Sequence, residues 1–216
     1  LSLEFRFQNG IKNNKSFTFS NIAALINYSA TSAISFLLSL YLQHIKTMTP
    51  QEAGTVLIAQ PVLMAVFSPI AGRLSDRIEP RYVSSLGMIL ITICLALLCF
   101  AGQETTLLYI IVNLAILGIG FALFSSPNSN AIMSAVEKKD VGTASAILSL
   151  MRTTGQMISM AIVIVIFTLV IGKAEIKTEN HPELITSVRI AFVLFAILCF
   201  GGIFASLARG KMHKEI

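Results

Sequence analysis

The chain has 216 residues, 55% of them apolar and 12% charged, against roughly 45–50% apolar and about 25% charged in soluble domains. With a mean hydropathy of +0.78, that balance excludes an ordinary water-soluble domain, and the scarcity of charge excludes a disordered chain. The formal net charge of +5 bears first on membrane sidedness, because spanning proteins concentrate Lys and Arg on one face.

Residues 1–16 are expected to be a cytoplasmic lead-in in which Leu1, Leu3, Phe5 and Phe7 alternate with polar positions. The stretch is too short and too broken by charge for a signal peptide's apolar core. With Leu1 in place of an initiator Met, the chain is expected to be a piece of a longer protein. Six apolar runs follow: Phe19–Leu42, Ala53–Ala71, Val83–Ala101, Leu107–Met133, Thr143–Ile171 and Val188–Leu207. As helices these are roughly the length that crosses a ~30 Å hydrocarbon layer. Lipid offers no partner for an exposed backbone donor, and no run shows the two-residue alternation of a barrel strand, so helices are predicted. Residues 17–208 are therefore expected to form an all-α bundle of six transmembrane helices, and 209–216 a cytoplasmic tail. Pro61, Pro69 and Pro127 predict bends, since each removes a backbone donor.

The connections on one side carry Arg6, Lys12, Lys15, Arg73, Arg77, Arg81, Lys138, Lys139, Arg209, Lys211 and Lys214, which is eleven of the 16 basic residues. The other side and its edges carry Lys46, Lys173, Lys177 and Arg189. The positive-inside rule then places both termini in the cytoplasm of a multi-pass protein of the cell membrane. Topology accounts for the excess charge, and no nucleic-acid partner is expected.

His44, His181 and His213 fall in or beside connections, and the acids lie outside the apolar runs. Intramembrane proteolysis needs catalytic groups at depth, so no enzyme is expected. Cys94, Cys99 and Cys199 sit in apolar runs without metal-ligand spacing, so neither a metal site nor a disulfide framework is predicted.

Arg152 is the one basic residue deep inside a run, Arg189 standing at the edge of the sixth. Gly142, Ser145, Ser149, Arg152, Gln156 and Ser159 recur at three- and four-residue spacing, which sets small and polar groups on one helical stripe. Two interpretations are open: a packing seam with Arg152 reaching toward headgroups, or the lining of a transport pathway. Tyr28, Ser32, Ser35 and Ser39 share a face that leads toward Gln43, the fourth run offers Asn113, Gly120 and Asn128, and the second offers Gln60. Singly, such residues are interhelical hydrogen-bond partners; together they suggest an interior that is not uniformly apolar.

The connection Gly72-Arg73-Leu74-Ser75-Asp76-Arg77-Ile78-Glu79-Pro80-Arg81 is basic and well furnished with helix signals. Gly72 permits close backbone approach, Asp76 can cap a helix or pair with an arginine, and Pro80 suits a first helical turn. Glu79 is placed near that positive helix end. Physics alone supports a positive-inside loop with good caps.

Gly72-x-Leu74-x-Asp76-Arg77-x-x-x-Arg81 resembles the signature loop of the major facilitator superfamily, found between the second and third helices of a six-helix half. Tyr41-Leu42-Gln43, Gln51-Glu52-Ala53-Gly54, Ser68-Pro69-x-Ala71-Gly72, Gly118-x-Gly120 with Pro127, and Gly142-x-Ala144-Ser145 through Arg152 and Gly155-Gln156 follow in order. This ordered set is similar to the carboxy-terminal half of the fourteen-span EmrB/QacA-type drug:proton antiporters, over nearly the whole chain.

The resemblance implies one six-helix bundle that pairs with an amino-terminal half. It makes Asp76 the hub of a cytoplasmic latch, with Arg77 and Arg81 as its cationic partners and Gly72 and Leu74 in the same loop. Glu79 departs from the family, which often has glycine there. Proton-coupled export of small hydrophobic or amphipathic compounds by alternating access is the implied activity, with the proton gradient as energy source and no cofactor. Tyr28, Ser32, Ser35, Asn113, Arg152 and Gln156 are the candidate pathway residues. The rival expectation is a six-helix assembly or signalling protein without transport, which would need no wet interior.

Overall fold

The computed structural model describes residues 15–172 and 181–209. The expected lead-in before Lys15, the stretch carrying Lys173 and Lys177, and the tail beyond Arg209 lie outside the described residues. Among those described the structure is helical without strands, and six helices are long and apolar enough to cross a membrane. The protein is an all-α, multi-pass membrane bundle.

The first span is assembled from α1 (Lys15–Thr31), α2 (Ile34–Leu40) and a π-helical turn, Tyr41–Ile45. The second is α3 (Pro50–Leu57) followed by α4 (Ala59–Arg77), the third α5 (Pro80–Leu98) and the fourth α6 (Leu107–Ser134). A 3-10 turn, Lys138–Asp140, leads into α7 (Val141–Val170), and α8 (His181–Leu207) closes the bundle. Helices outrun the apolar runs because backbone bonding continues into the polar layer: α8 begins at His181, ahead of the run that starts at Val188.

Local sequence explains the starts and breaks. Thr49 and Glu52 form a reciprocal capping box with Pro50 in the first turn of α3, which satisfies two otherwise orphaned backbone donors. The second span is interrupted at Ile58, between α3 and α4, because Pro61 has no N–H to offer the Leu57 carbonyl. Pro69 and Pro127, by contrast, sit inside continuous helices. Pro80 opens α5 as the sequence predicts.

The break in the first span has no proline. The hydroxyls of Ser29, Thr31 and Ser32 donate to the carbonyls of Leu25, Asn27 and Tyr28, at 2.8, 2.7 and 2.8 Å. Back-bonding of this kind bends helices. At the bend the Ala33 N–H leaves its own helix and donates to Ser159 Oγ of α7, 3.0 Å away and buried.

α6 packs against α4 and α5, α5 also packs on α8, and α1 lies against α7 and α8. Several crossings are as close as glycine allows, among them Gly118 of α6 against the Gln60 carbonyl of α4. A Cβ on Gly87 of α5 would stand 2.6 Å from the Gly120 carbonyl oxygen of α6, and one on Gly155 of α7 would stand 2.8 Å from Tyr28 Cβ. Leu37, Leu95, Leu114, Phe192 and Phe195 are fully buried between the spans.

Antiparallel succession gives the bundle a basic face, with Arg73, Arg77, Arg81, Lys138, Lys139 and Arg209, and a far face with Lys46 and Arg189. The far face is closed by hydrogen bonds to backbone carbonyls just past α5. Tyr41 Oη donates to Gly102 O at 2.6 Å, Arg189 Nε to Ala101 O at 3.1 Å, and Lys46 Nζ to Gln103 O. Coverage is uneven: 11% of the most apolar stretch of the second span and 22% of that of the fifth is buried, against 56% for the first.

Candidate functional site

α7 has two polar faces, and the structure separates residues that the sequence set on one stripe. Ala144, Leu148, Gly155, Ser159, Val163 and Ile166 are buried against the bundle. Gly142, Ser145, Ser149 and Gln156 are exposed on the flank of that face, with Arg152 half-buried at its edge. Ser159 thus belongs to packing, and the rest of the stripe borders open space.

Arg152 lies eleven residues into the 30-residue α7, a rise of about 16 Å. Its Nη2 donates to Ser129 Oγ of α6 at 3.0 Å, and its Cζ stands 5.5 Å from the centroid of the Tyr28 ring. Nε is buried without a hydrogen-bond partner among the described residues. The close crossing at Gly155 fixes α1 against α7 one turn away, so Tyr28 and Arg152 meet through backbone packing rather than chance rotamers.

Of the other sequence candidates, Gln156 is exposed one turn from Arg152, and Ser35 is exposed beyond the bend in the first span. The Ser32 hydroxyl is committed to the Tyr28 carbonyl, while Gln43 Nε2 donates to Ser39 Oγ at 2.7 Å. Asn113 is 3% exposed and sits 16 residues from Ser129 along α6, roughly 24 Å, so it does not join the Arg152 group. More polar atoms line the interior. Asn27 is fully buried with neither amide atom partnered among the described residues, and Asn128 Nδ2 donates to Ser20 O at 3.3 Å.

On the basic face, Ser75 Oγ donates to Gly72 O at 2.7 Å and accepts from Asn130 Nδ2 at 3.4 Å, which ties the end of α4 to α6. Leu74 is half-buried, and Asp76 and Arg77 are exposed in the last turn of α4. Arg81 pairs with Glu79 at 3.5 Å, stacks 4.6 Å from the Tyr82 ring centroid and donates to Tyr82 Oη at 2.9 Å. Its acid partner here is therefore Glu79, the residue that departs from the family pattern.

Sequence reasoning missed Ser75, Ser129 and Asn130 as partners, and it read Arg209 only as the first residue of a cytoplasmic tail. Arg209 is 2% exposed; its Nη2 donates to Ser206 Oγ at 2.8 Å, and Ser206 in turn meets Ser85 Oγ of α5 at 3.0 Å. Burial pulls the guanidinium down to about 10. Serines at the basic ends of α5 and α8 were the available signal, but serine is common in spanning helices, and pattern alone does not pick the pair.

Among the described residues, acidic groups lie at helix ends or in connections. In the described spans Glu52, Asp76, Asp140 and Glu183 each fall within four residues of an end. Ion pairs on the basic face include Glu79–Arg81 and Glu137–Lys139.

The described residues thus form a membrane bundle with six spans, close glycine crossings and a basic loop between the second and third. The chain matches the Major Facilitator Superfamily over residues 21–215 and belongs to it. It is similar to the riboflavin transporter RibZ of Clostridioides difficile, with 34% identity over 64% of this chain and 30% of that protein. It is similar also to the multidrug resistance protein Stp of Mycobacterium tuberculosis, with 29% identity over 62% of this chain and 25% of that one. The lincomycin resistance protein LmrB of Listeria innocua matches 88% of the chain and 42% of its own length at 29% identity. The chain thus spans less than half the length of the curated relatives it matches.

Proposed function

We propose that this chain is the carboxy-terminal bundle of an EmrB/QacA-type fourteen-span exporter that moves small hydrophobic or amphipathic compounds across the cell membrane by alternating access. The observation that carries this reading is the uncovered polar flank of α7. Ser145, Ser149 and Gln156 are exposed on a helix otherwise apolar enough to span, and polar groups in lipid are costly unless they face protein or a water-filled cavity. The poorly covered second and fifth spans would then pack against the amino-terminal half and enclose the pathway between them. The unpartnered amide of Asn27 and the unpartnered Oδ1 of Asn128 among the described residues favour a wet interior, since buried polar groups are normally satisfied by protein or water.

Both termini of the segment are assigned to the cytoplasm, which puts the Gly72–Arg81 loop there, in the latch position. Asp76 is its hub, with Arg77 and Arg81 as cationic members; Glu79 competes for Arg81 and couples that arginine to the start of α5. The scarcity of acids at depth assigns proton coupling to carboxylates of the amino-terminal half. No resident metal or cofactor and no nucleic-acid partner enter the scheme.

The test is uptake of a fluorescent amphipathic dye into inverted membrane vesicles containing the full-length protein. Uptake driven by an imposed pH gradient and abolished by a protonophore is expected; gradient-independent dye movement removes the antiport assignment. Asp76→Asn should slow uptake at unchanged protein level, and unchanged flux removes the latch.

A further inference from the structure

We propose that Arg152 and Tyr28 form the subsite that receives the anionic group of a substrate, so that the carrier takes amphipathic organic anions; the assignment rests on the transport reading above. A guanidinium is charged at neutral pH, so a charge has been placed about 16 Å along a spanning helix with no acid beside it among the described residues. Such a charge is expensive unless something compensates it. Within the described chain the compensation is partial. Ser129 takes one N–H at 3.0 Å, the Tyr28 ring lies 5.5 Å from Cζ, and Nε remains unpartnered. A guanidinium has five donors in a fixed fork matched to carboxylate or phosphate oxygens.

The fork is also reachable. Arg152 is half-buried at the edge of the uncovered flank of α7, with exposed Ser149 and Gln156 one turn to either side as neutral hydrogen-bonding groups. Its orientation is set in advance by the Tyr28 stack, the Ser129 contact and the backbone crossing at Gly155. Little ordering is left for a ligand to impose, and preorganisation of that kind favours binding. An alternative occupant is a carboxylate from the amino-terminal half, which would neutralise Arg152 for every substrate alike.

Two dyes that share a xanthene ring separate these cases: carboxyfluorescein, an anion, and rhodamine 123, a cation. Equilibrium binding to the purified full-length protein would be read by fluorescence anisotropy. Arg152→Ala should weaken carboxyfluorescein by about tenfold or more, the scale of one lost charge-assisted contact, while rhodamine 123 does not weaken. Arg152→Lys, which keeps the charge and loses the fork, should fall between. Added salt should weaken the anion on the wild type more than on Arg152→Ala. If Arg152→Ala yields no folded protein, Arg152→Gln carries the same comparison. Equal loss of both dyes, no loss of either, or no carboxyfluorescein binding to the wild type overturns the subsite. Vesicle uptake is scored separately: a wild type that binds both dyes with the expected Arg152 dependence yet moves neither overturns the transport reading and leaves the subsite standing.

Discussion

Ser159 and Arg152 stand seven residues apart on α7, and their surroundings are opposite. Ser159 is fully buried and spends its oxygen on the Ala33 N–H that the bent first span cannot satisfy internally. Arg152 is half-buried, lightly partnered and bordered by exposed polar groups. Spacing at three and four residues makes them neighbours on a helical wheel, yet one is structural cement and the other borders the open side. A polar residue in a span therefore says little by its type; what matters is whether a particular backbone or side-chain group has already claimed it.

The sharpest way to break this contrast is to attack the buried face. Gly155→Val would force side-chain atoms into space held by Tyr28 Cβ and the Leu25 carbonyl, at 2.8 and 2.9 Å from the first added carbon. Overpacking at such a crossing should cost about 3 kcal/mol or more, visible as lost monodisperse protein in detergent. Ser159→Val strands the Ala33 N–H, an expected loss of about 1–3 kcal/mol, read from the thermal unfolding midpoint.

Arg209 makes the opposite prediction. Its native value, about 10, lies below the unfolded one, so folding disfavours its charged form, and that penalty is fully present at neutral pH and is relieved as pH rises through about 10 and above. Arg209→Met should raise the unfolding midpoint by a few degrees, as removal of a buried charge with no acid partner among the described residues can; a lower midpoint would show that the Ser206 contact matters more. On the open flank, Ser145→Ala should change stability by less than about 0.5 kcal/mol. Cysteines at Ser149 and Gln156 should react with a water-soluble maleimide, while one at Ser159 should not; protection at all three would turn the flank into a packing seam.

Most of the architecture was legible because hydrophobic runs of spanning length leave few options. The six runs gave six spans, and Pro80 marked a start where a helix does begin. The break at Ser32–Ala33 was not legible. It depends on three hydroxyls turning back on their own helix and on a serine 126 positions away, and serine carries no directional signal in a sequence. The Tyr28–Arg152 meeting was half-visible. Both residues were candidates, but only the glycine crossing brings their helices together. Arg81 shows the limit from the other side, since the acid it takes, Glu79, is two residues away and lies outside the family pattern that singled out Asp76.

The chain has no tryptophan and four tyrosines, each touching a different polar group: Tyr28 under Arg152, Tyr41 on the Gly102 carbonyl, Tyr82 against Arg81 and Tyr109 on the Leu97 carbonyl. Ultraviolet emission from this bundle thus comes from four phenol rings distributed over both membrane faces and its middle. Replacing three of them with phenylalanine leaves a single native lamp, and the one kept at position 28 would brighten or dim as the neighbouring cation is drawn away.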